Sequence, residues 1–361
     1  MKGVKFPGGY CMASDEITSE EVRKHENVTV RQLAEYASVS TGTVSAVING
    51  SDTVSSNAKK RVEIAITALG YQYRAARSQS NKNIKKILVI LPSVGNPFFT
   101  EVIEGISSIA DKNGIIVSIQ SSGGEREKEN QLLEIASNSN FNGVLYISAT
   151  GFVHPKLLKL EQENKLILVD EPLSACSAPH ISADNRRGGR KIAEYVISNG
   201  HKKIGVISGP QRLATAEQRL AGIREALAGA GANPDDFPLF IGDYTEISGY
   251  GGAEELYRKN NGEITAIICL NDLMAAGAYR FFQEKGLSIP RDISITGFDN
   301  ISLSEHLASG LTTVSQRGEK MGEMAMELLL RNIETPPLTI ESYEIETKLV
   351  IRNSVKKINE T

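Results

Sequence analysis

Apolar residues recur along this chain with two periods, and the change from one to the other divides it. From Val28 to Tyr71 the spacing is helical. Thr29 and Gln32 form a capping box, with Val28 and Leu33 placed as its hydrophobic staple, so a helix is predicted from about Val30 with Leu33, Ala34 and Ala37 buried. Ser38-Val39 reads as a turn, Ser40 as the next cap, and Val44, Val47 and Ile48 as the inner face of a second short helix. A third helix is predicted from about Ser55, with Ala58, Val62, Ala65, Ile66 and Leu69 inward and Gly70 as its stop.

From Lys86 short apolar runs alternate with amphipathic helices, the pattern of a parallel α/β sheet. Strands are predicted over 87–91, 115–119, 143–147 and 166–169, all apolar as if covered by helices on both faces. Helices fall over 98–112 and 128–136. A second alternation follows, with strands over 203–207, 239–241, 266–270 and 293–296 and helices over 187–198, 217–230, 249–258 and 273–286. A last helix over 321–332 and one strand over 341–351 close the pattern, so the body is expected to be two tandem α/β lobes.

Three short helices with a tight turn between the first two match the helix-turn-helix plan, in which the second helix enters the DNA major groove. Charge agrees with this. From Val28 to Lys86 there are nine Lys or Arg against three Asp or Glu, a net of +6. The whole chain carries −3, which leaves −9 for the rest. A basic module on an acidic chain is the footprint of a polyanion-binding domain.

The run from Val30 to Ser45, VRQLAEYASVSTGTVS, with Val47-Ile48-Asn49-Gly50 after it, resembles the headpiece of LacI/GalR-type transcription regulators. That resemblance implies DNA contacts from Thr29, Arg31, Ser40, Thr41, Gly42, Thr43, Ser45, Ala46, Asn49, Thr53, Lys59, Arg74 and Arg77, with Lys60 also placed for a phosphate. It also implies a hinge over 72–86, where family members wedge a leucine into the minor groove. No Leu occurs between Gly70 and Ile87. Thr41, Gly42 and Ala46 are too short for a bidentate arginine contact to guanine, so phosphates and DNA shape are expected to carry the binding.

Ligands of open α/β sheets bind beyond the carboxyl ends of the strands. Those ends carry Asn96-Pro97-Phe98-Phe99, Ser148, Asp170-Glu171, Asn271-Asp272 and Phe298-Asp299-Asn300, with Gln316 after a late strand. Aromatic faces ringed by carboxylates and amides suit a monosaccharide, because each buried hydroxyl left unpaired costs about 1 to 3 kcal/mol. The body also resembles the ribose branch of the periplasmic-binding-protein superfamily. This implies ligand contacts from Asn96, Phe98, Phe99, Ser148, Asp170, Glu171, Arg219, Asn271, Phe298, Asp299 and Gln316, and chain crossings between lobes near Ser182, Thr313 and Glu341. Glu171 stands where sugar-binding members often have Arg, which suggests a modified sugar or one carrying an amine.

Catalytic motifs are missing. There is no Gly-x-Gly-x-x-Gly after the first strand, no Gly-x-x-x-x-Gly-Lys-Ser/Thr and no Gly-x-Ser-x-Gly. The five histidines lack metal-ligand spacing and the three cysteines are an odd count, so neither metal, cofactor nor disulfide is expected. No apolar run approaches the ~20 residues of a membrane helix. Residues 1–27, without a signal-like apolar region, read as a disordered extension, and Arg352–Thr361 is polar and without heptads. The expectation is a cytoplasmic homodimer that binds a pseudo-palindromic operator and responds to a pentose-like effector by way of the interlobe cleft, whether as inducer or corepressor. The alternative is a sugar-binding or sugar-modifying α/β protein that binds no DNA.

Overall fold

The computed structural model describes residues 28–48, 51, 54–69, 71, 85–234, 237–307, 310–335 and 341–358. The chain divides into two compact units that part between Asn83 and Ile84. The expected extension over 1–27, most of the hinge, and Asn49, Thr53, Arg74 and Arg77 lie outside the described residues.

In the first unit, α1 (Val30–Ala37), α2 (Thr41–Ile48) and α3 (Ser56–Ala68) enclose one small core of Leu33, Ala34, Ala37, Val44, Val62 and Ala65. The capping box forms in full. Thr29 Oγ1 accepts from the Gln32 amide at 3.3 Å, and Gln32 Oε1 accepts from the Thr29 amide at 2.7 Å. Ser38 ends α1 in the left-handed region, and Ser40 Oγ then accepts from the Thr43 amide at 3.1 Å to start α2.

The second unit has two sheets. The first is parallel, in the order β11-β5-β4-β3-β1-β2, built from β1 (Lys86–Leu91), β2 (Ile116–Ser121), β3 (Gly143–Tyr146), β4 (Leu166–Val169), β5 (His180–Ala183) and β11 (Tyr343–Ile345). Strand period splits its side chains between two cores. Ile87, Val89, Leu145 and Ile167 pack with α4 (Pro97–Lys112) and α11 (Gly318–Glu334). Leu88, Ile90, Val144 and Leu168 pack on the other face with α5 (Arg126–Asn138) and α6 (Pro155–Gln162).

The second sheet is parallel in the order β7-β6-β8-β9: β6 (Ile204–Ser208), β7 (Leu239–Ile241), β8 (Ala266–Cys269) and β9 (Ser294–Thr296). Around it lie α7 (Asn185–Ser198), α8 (Ala214–Gly229), α9 (Glu246–Lys259) and α10 (Asp272–Glu284). A two-stranded antiparallel ribbon of β10 (Thr313–Ser315) and β12 (Lys348–Val350) joins this lobe through single bridges from Thr312 to Thr296 and from Ser315 to Asp299.

Several details depart from the sequence pattern, among them β5, a strand of the first sheet that the pattern does not predict. The strand expected over 341–351 is two strands: β11 pairs with β5 in the first sheet and β12 with β10, so the third crossing falls at Glu346-Thr347 and 343–345 belongs to the first lobe. Continuous strand-like residues do not show where a chain changes partner. The strand over 115–119 is not buried on both faces. It is an edge strand, β2, with Ile116 48% and Ile119 38% exposed. The pattern also omits α6, an eight-residue helix with only Leu157 and Leu160 buried.

Candidate ligand cleft and nucleic-acid surface

Loops from the carboxyl ends of both sheets line a cavity of about 630 Å³. Ten of the eleven ligand positions expected from the sequence are on its wall: Asn96, Phe98, Phe99, Ser148, Asp170, Glu171, Arg219, Asn271, Asp299 and Gln316. Phe298 is not. It is fully buried in the second lobe's core, with its ring 3.9 Å beneath the Arg219 guanidinium, so it is a platform for that cation.

Arg219 is the centre of the charge arrangement. Its Nε donates to Asn185 Oδ1 at 2.7 Å, one terminal nitrogen donates to the Leu270 carbonyl at 2.6 Å, and Asp299 Oδ1 lies 3.8 Å away. Two glycines on α7 make room for it. A Cβ on Gly189 would lie 2.2 Å from the Arg219 carbonyl oxygen, and one on Gly188 would lie 2.7 Å from the Phe298 ring. Burial pushes the Asp170 and Asp299 carboxyls up, and the nearby Arg219 charge opposes this in both. Both aspartates hold positive φ, 63° and 121°, at the turns that leave β4 and follow β9.

Some wall residues are already occupied within the chain. Asn96 Oδ1 caps α4 through the Phe98 amide at 3.1 Å, and Asn271 Oδ1 caps α10 through the Met274 amide at 2.9 Å. Ser148 shapes its own loop: its hydroxyl donates to buried Glu129 at 3.3 Å and accepts from the Gly151 amide at 3.0 Å. Glu171 is engaged across the cleft. Its oxygens accept from Ala214 and Thr215 at the start of α8, so most of its acceptor capacity is used within the chain. By contrast, Asp170 Oδ1 and Gln316 Oε1 are buried without any hydrogen-bond partner, and Gln316 Nε2 donates to Asp299 Oδ1 at 2.6 Å.

Sequence reasoning missed Tyr244, Thr215, Arg212 and Gly123-Gly124, all on the same wall. The strand-end rule would have found two of these. Tyr244 follows β7 and Gly123 follows β2.

In the first unit, Thr41, Gly42 and Ser45 are exposed along α2, while Thr43 and Ala46 are half-buried. Thr29 and Ser40 use their hydroxyl oxygens as helix caps. Arg31, Lys59 and Lys60 are exposed, and Arg31 makes only a 3.7 Å surface pair with Glu35. A Cβ on Gly42 would meet nothing nearer than Ser40 Oγ at 3.7 Å, so the helix itself has no steric need of glycine there. Among the described residues no group of acidic, His and Cys side chains is arranged for a metal, and no helix is long and apolar enough to cross a membrane.

A helix-turn-helix unit followed by a bilobed α/β body with a cleft at its strand ends defines a DNA-binding regulator with a small-molecule sensor. Comparison with known proteins agrees. Residues 29–73 match the model of bacterial regulatory proteins of the lacI family, and 193–355 match a periplasmic binding protein-like domain. The chain is 31% identical to the ribose operon repressor of Haemophilus influenzae over 328 residues, 91% of this chain and 98% of that protein. It is also 31% identical to the HTH-type transcriptional repressor PurR of Aliivibrio salmonicida over 333 residues, 91% of this chain and 99% of that one. Among solved structures, a LacI family regulator from Enterococcus faecium with bound ribose superposes with TM-score 0.69 at 25% identity, covering 76% of this chain and 100% of that one. The Lac repressor dimer bound to operator and an anti-inducer superposes with TM-score 0.69 at 25% identity over 92% and 100%. The chain therefore belongs to the LacI family of transcriptional regulators. It is a DNA-binding repressor-type protein and not an enzyme.

Proposed function

We propose that the cleft binds a neutral polyhydroxylated effector of the sugar class, and that occupancy alters the operator affinity of paired headpieces. The observation that carries this reading is the buried, unpartnered Asp170 Oδ1 and Gln316 Oε1 on a wall that also holds Arg219 and Asp299. Buried acceptors of this kind need donors, and vicinal hydroxyls supply them. Phe99, with Phe98 behind it at 5.3 Å between ring centroids, adds an apolar face for the ring's C–H side. The ribose operon repressor and the ribose-bound relative support the same class.

This reading takes 28–71 as the DNA-binding headpiece, 72–86 as the hinge and 87–361 as the effector and dimerisation body, acting in the cytoplasm on a pseudo-palindromic operator. Thr41, Gly42, Thr43, Ser45 and Ala46 lie against the major groove, with Arg31, Lys59 and Lys60 on phosphates. Dimerisation uses exposed apolar edges of the body, among them Ile116 and Ile119 on β2 and Ile241 on β7.

Calorimetric titration with ribose, other pentoses, hexoses and nucleosides is the direct test. A pentose is expected to bind the wild type, and Asp170→Asn to weaken it about 10- to 100-fold, as loss of a charge-assisted hydrogen bond predicts. If no sugar binds while a nucleobase does, the sugar reading is wrong. An unchanged affinity in Asp170→Asn removes that residue from the site.

A further inference from the structure

Glu171 lies in the loop after β4, in the first lobe, yet both of its carboxylate oxygens are used in the second. Oε1 accepts from the Ala214 amide at 2.5 Å, and Oε2 accepts from the Thr215 hydroxyl at 2.6 Å and amide at 3.3 Å. These are the first backbone donors of α8, whose own N-cap residue, Leu213, supplies no side-chain acceptor. A helix start needs an acceptor. Here the opposite lobe delivers it.

The lobes also touch beside this point. Arg212 Nε donates to the Thr150 carbonyl at 2.9 Å, and a Cβ on Gly151 would come within 2.7 Å of the Arg212 carbonyl oxygen. None of the three chain crossings, after β5, after β10 and between β11 and β12, runs through these loops. The contact is therefore able to part when the lobes separate.

We propose that Glu171 is a positioning residue of the effector switch: an interlobe clasp that holds the cleft closed by capping α8 from the other lobe. It acts on closure and not on the ligand. Because α8 also carries Arg219, the clasp sets where this buried cation stands relative to Asp170.

Closure is then linked to a proton. With the cleft closed, burial pushes the Glu171 carboxyl up to about 7; the Thr215 hydrogen bonds and the Ala214 amide pull it down, and Asp170 beside it pushes it up. In an opened cleft the carboxyl meets water and returns toward the ordinary value of about 4.3. The closed form holds the proton more tightly, so its extra stability is complete below the open-form value and is lost as pH rises through about 7. The other charged or titratable groups around the contact are exposed Arg212 before α8, exposed Glu217 in its first turn, buried Arg219, and Tyr244, whose hydroxyl burial pushes up to about 12.

The test is small-angle scattering of the full chain without effector at pH 6 and pH 8, together with hydrogen exchange at Ala214 and Thr215. Wild type is expected to be more compact at pH 6. Glu171→Ala should be expanded at both values, with exchange at the two amides faster by about tenfold, the scale of one lost cap. Glu171→Gln, neutral at every pH, should lose the pH dependence and stay near the pH 6 form. Unchanged scattering in Glu171→Ala, with faster exchange confined to 213–217, would show a local cap only and overturn the clasp. If the alanine variant does not fold, a pH dependence retained in Glu171→Gln overturns it equally. A chain that binds no sugar but still opens on Glu171→Ala would remove the effector reading and leave the clasp in place.

Discussion

Arg219→Met is expected to destabilise the body by about 3 to 5 kcal/mol at pH 8 and to abolish the effector response, because it strands two buried carboxylates without their cation. Asp170 and Asp299 both lean on the Arg219 charge against the cost of burial. Methionine keeps volume and some contact with the Phe298 ring but not the hydrogen bonds to Asn185 and Leu270. The loss should shrink toward pH 5, since both carboxyls are already pushed upward and take up protons once the cation is gone. Thermal unfolding at the two pH values measures it, with a fall in melting temperature of roughly 10 °C at pH 8. Adding Asp299→Asn to Arg219→Met should recover part of the loss, as coupled neighbours do. Equal losses at both pH values would mean that Arg219 acts through packing alone.

The second large effect concerns DNA. Operator affinity is expected to fall about 10³-fold between 50 and 200 mM salt, with a log–log slope near −5. That is the expectation for six phosphate contacts, from Arg31, Lys59 and Lys60 on each of two headpieces. These three side chains are exposed, and Arg31 has only a weak surface pair to give up. Sequence discrimination should be modest, because α2 offers Thr41, Gly42 and Ser45 and no long base-reading side chain. Fluorescence anisotropy on the operator and on scrambled duplexes over a salt series reports both quantities. A slope shallower than about −2, or strong selection of one guanine per half-site, would show that base contacts carry the binding.

Much of this was legible without coordinates because its causes are local. The capping box at Thr29 and Gln32, the cap at Ser40 and the i, i+4 apolar spacing act within a few residues, and α1, α2 and α3 start within a residue or two of where those signals stand. Strand ends were nearly as plain. Since ligand sites in open α/β sheets collect at the carboxyl ends, one topological rule brought Asp170, Asn271, Asp299 and Gln316 onto one wall despite their separation in the chain, whereas Arg219, inside α8, was indicated only by the family resemblance.

What escaped depends on partners far apart in sequence. Whether 341–351 is one strand or two is decided by β5 and β10 competing for it, and no side chain within the segment announces that change. Phe298 reads like any aromatic at a strand end. Only the Gly188 backbone beneath it and the Arg219 guanidinium above it make it a platform. Glu171 read as a negative charge offered to a ligand, and the missing fact was the uncapped start of α8 across the cleft.

By itself, then, the sequence determined the helical headpiece, its charge, the two α/β lobes and the residue types at the cleft, because propensity, capping and hydrophobic period are short-range. Tertiary structure alone decided which polar atoms are already spent and which are left for a ligand. Hydrogen-bond satisfaction is settled between segments, and the chain order does not record it.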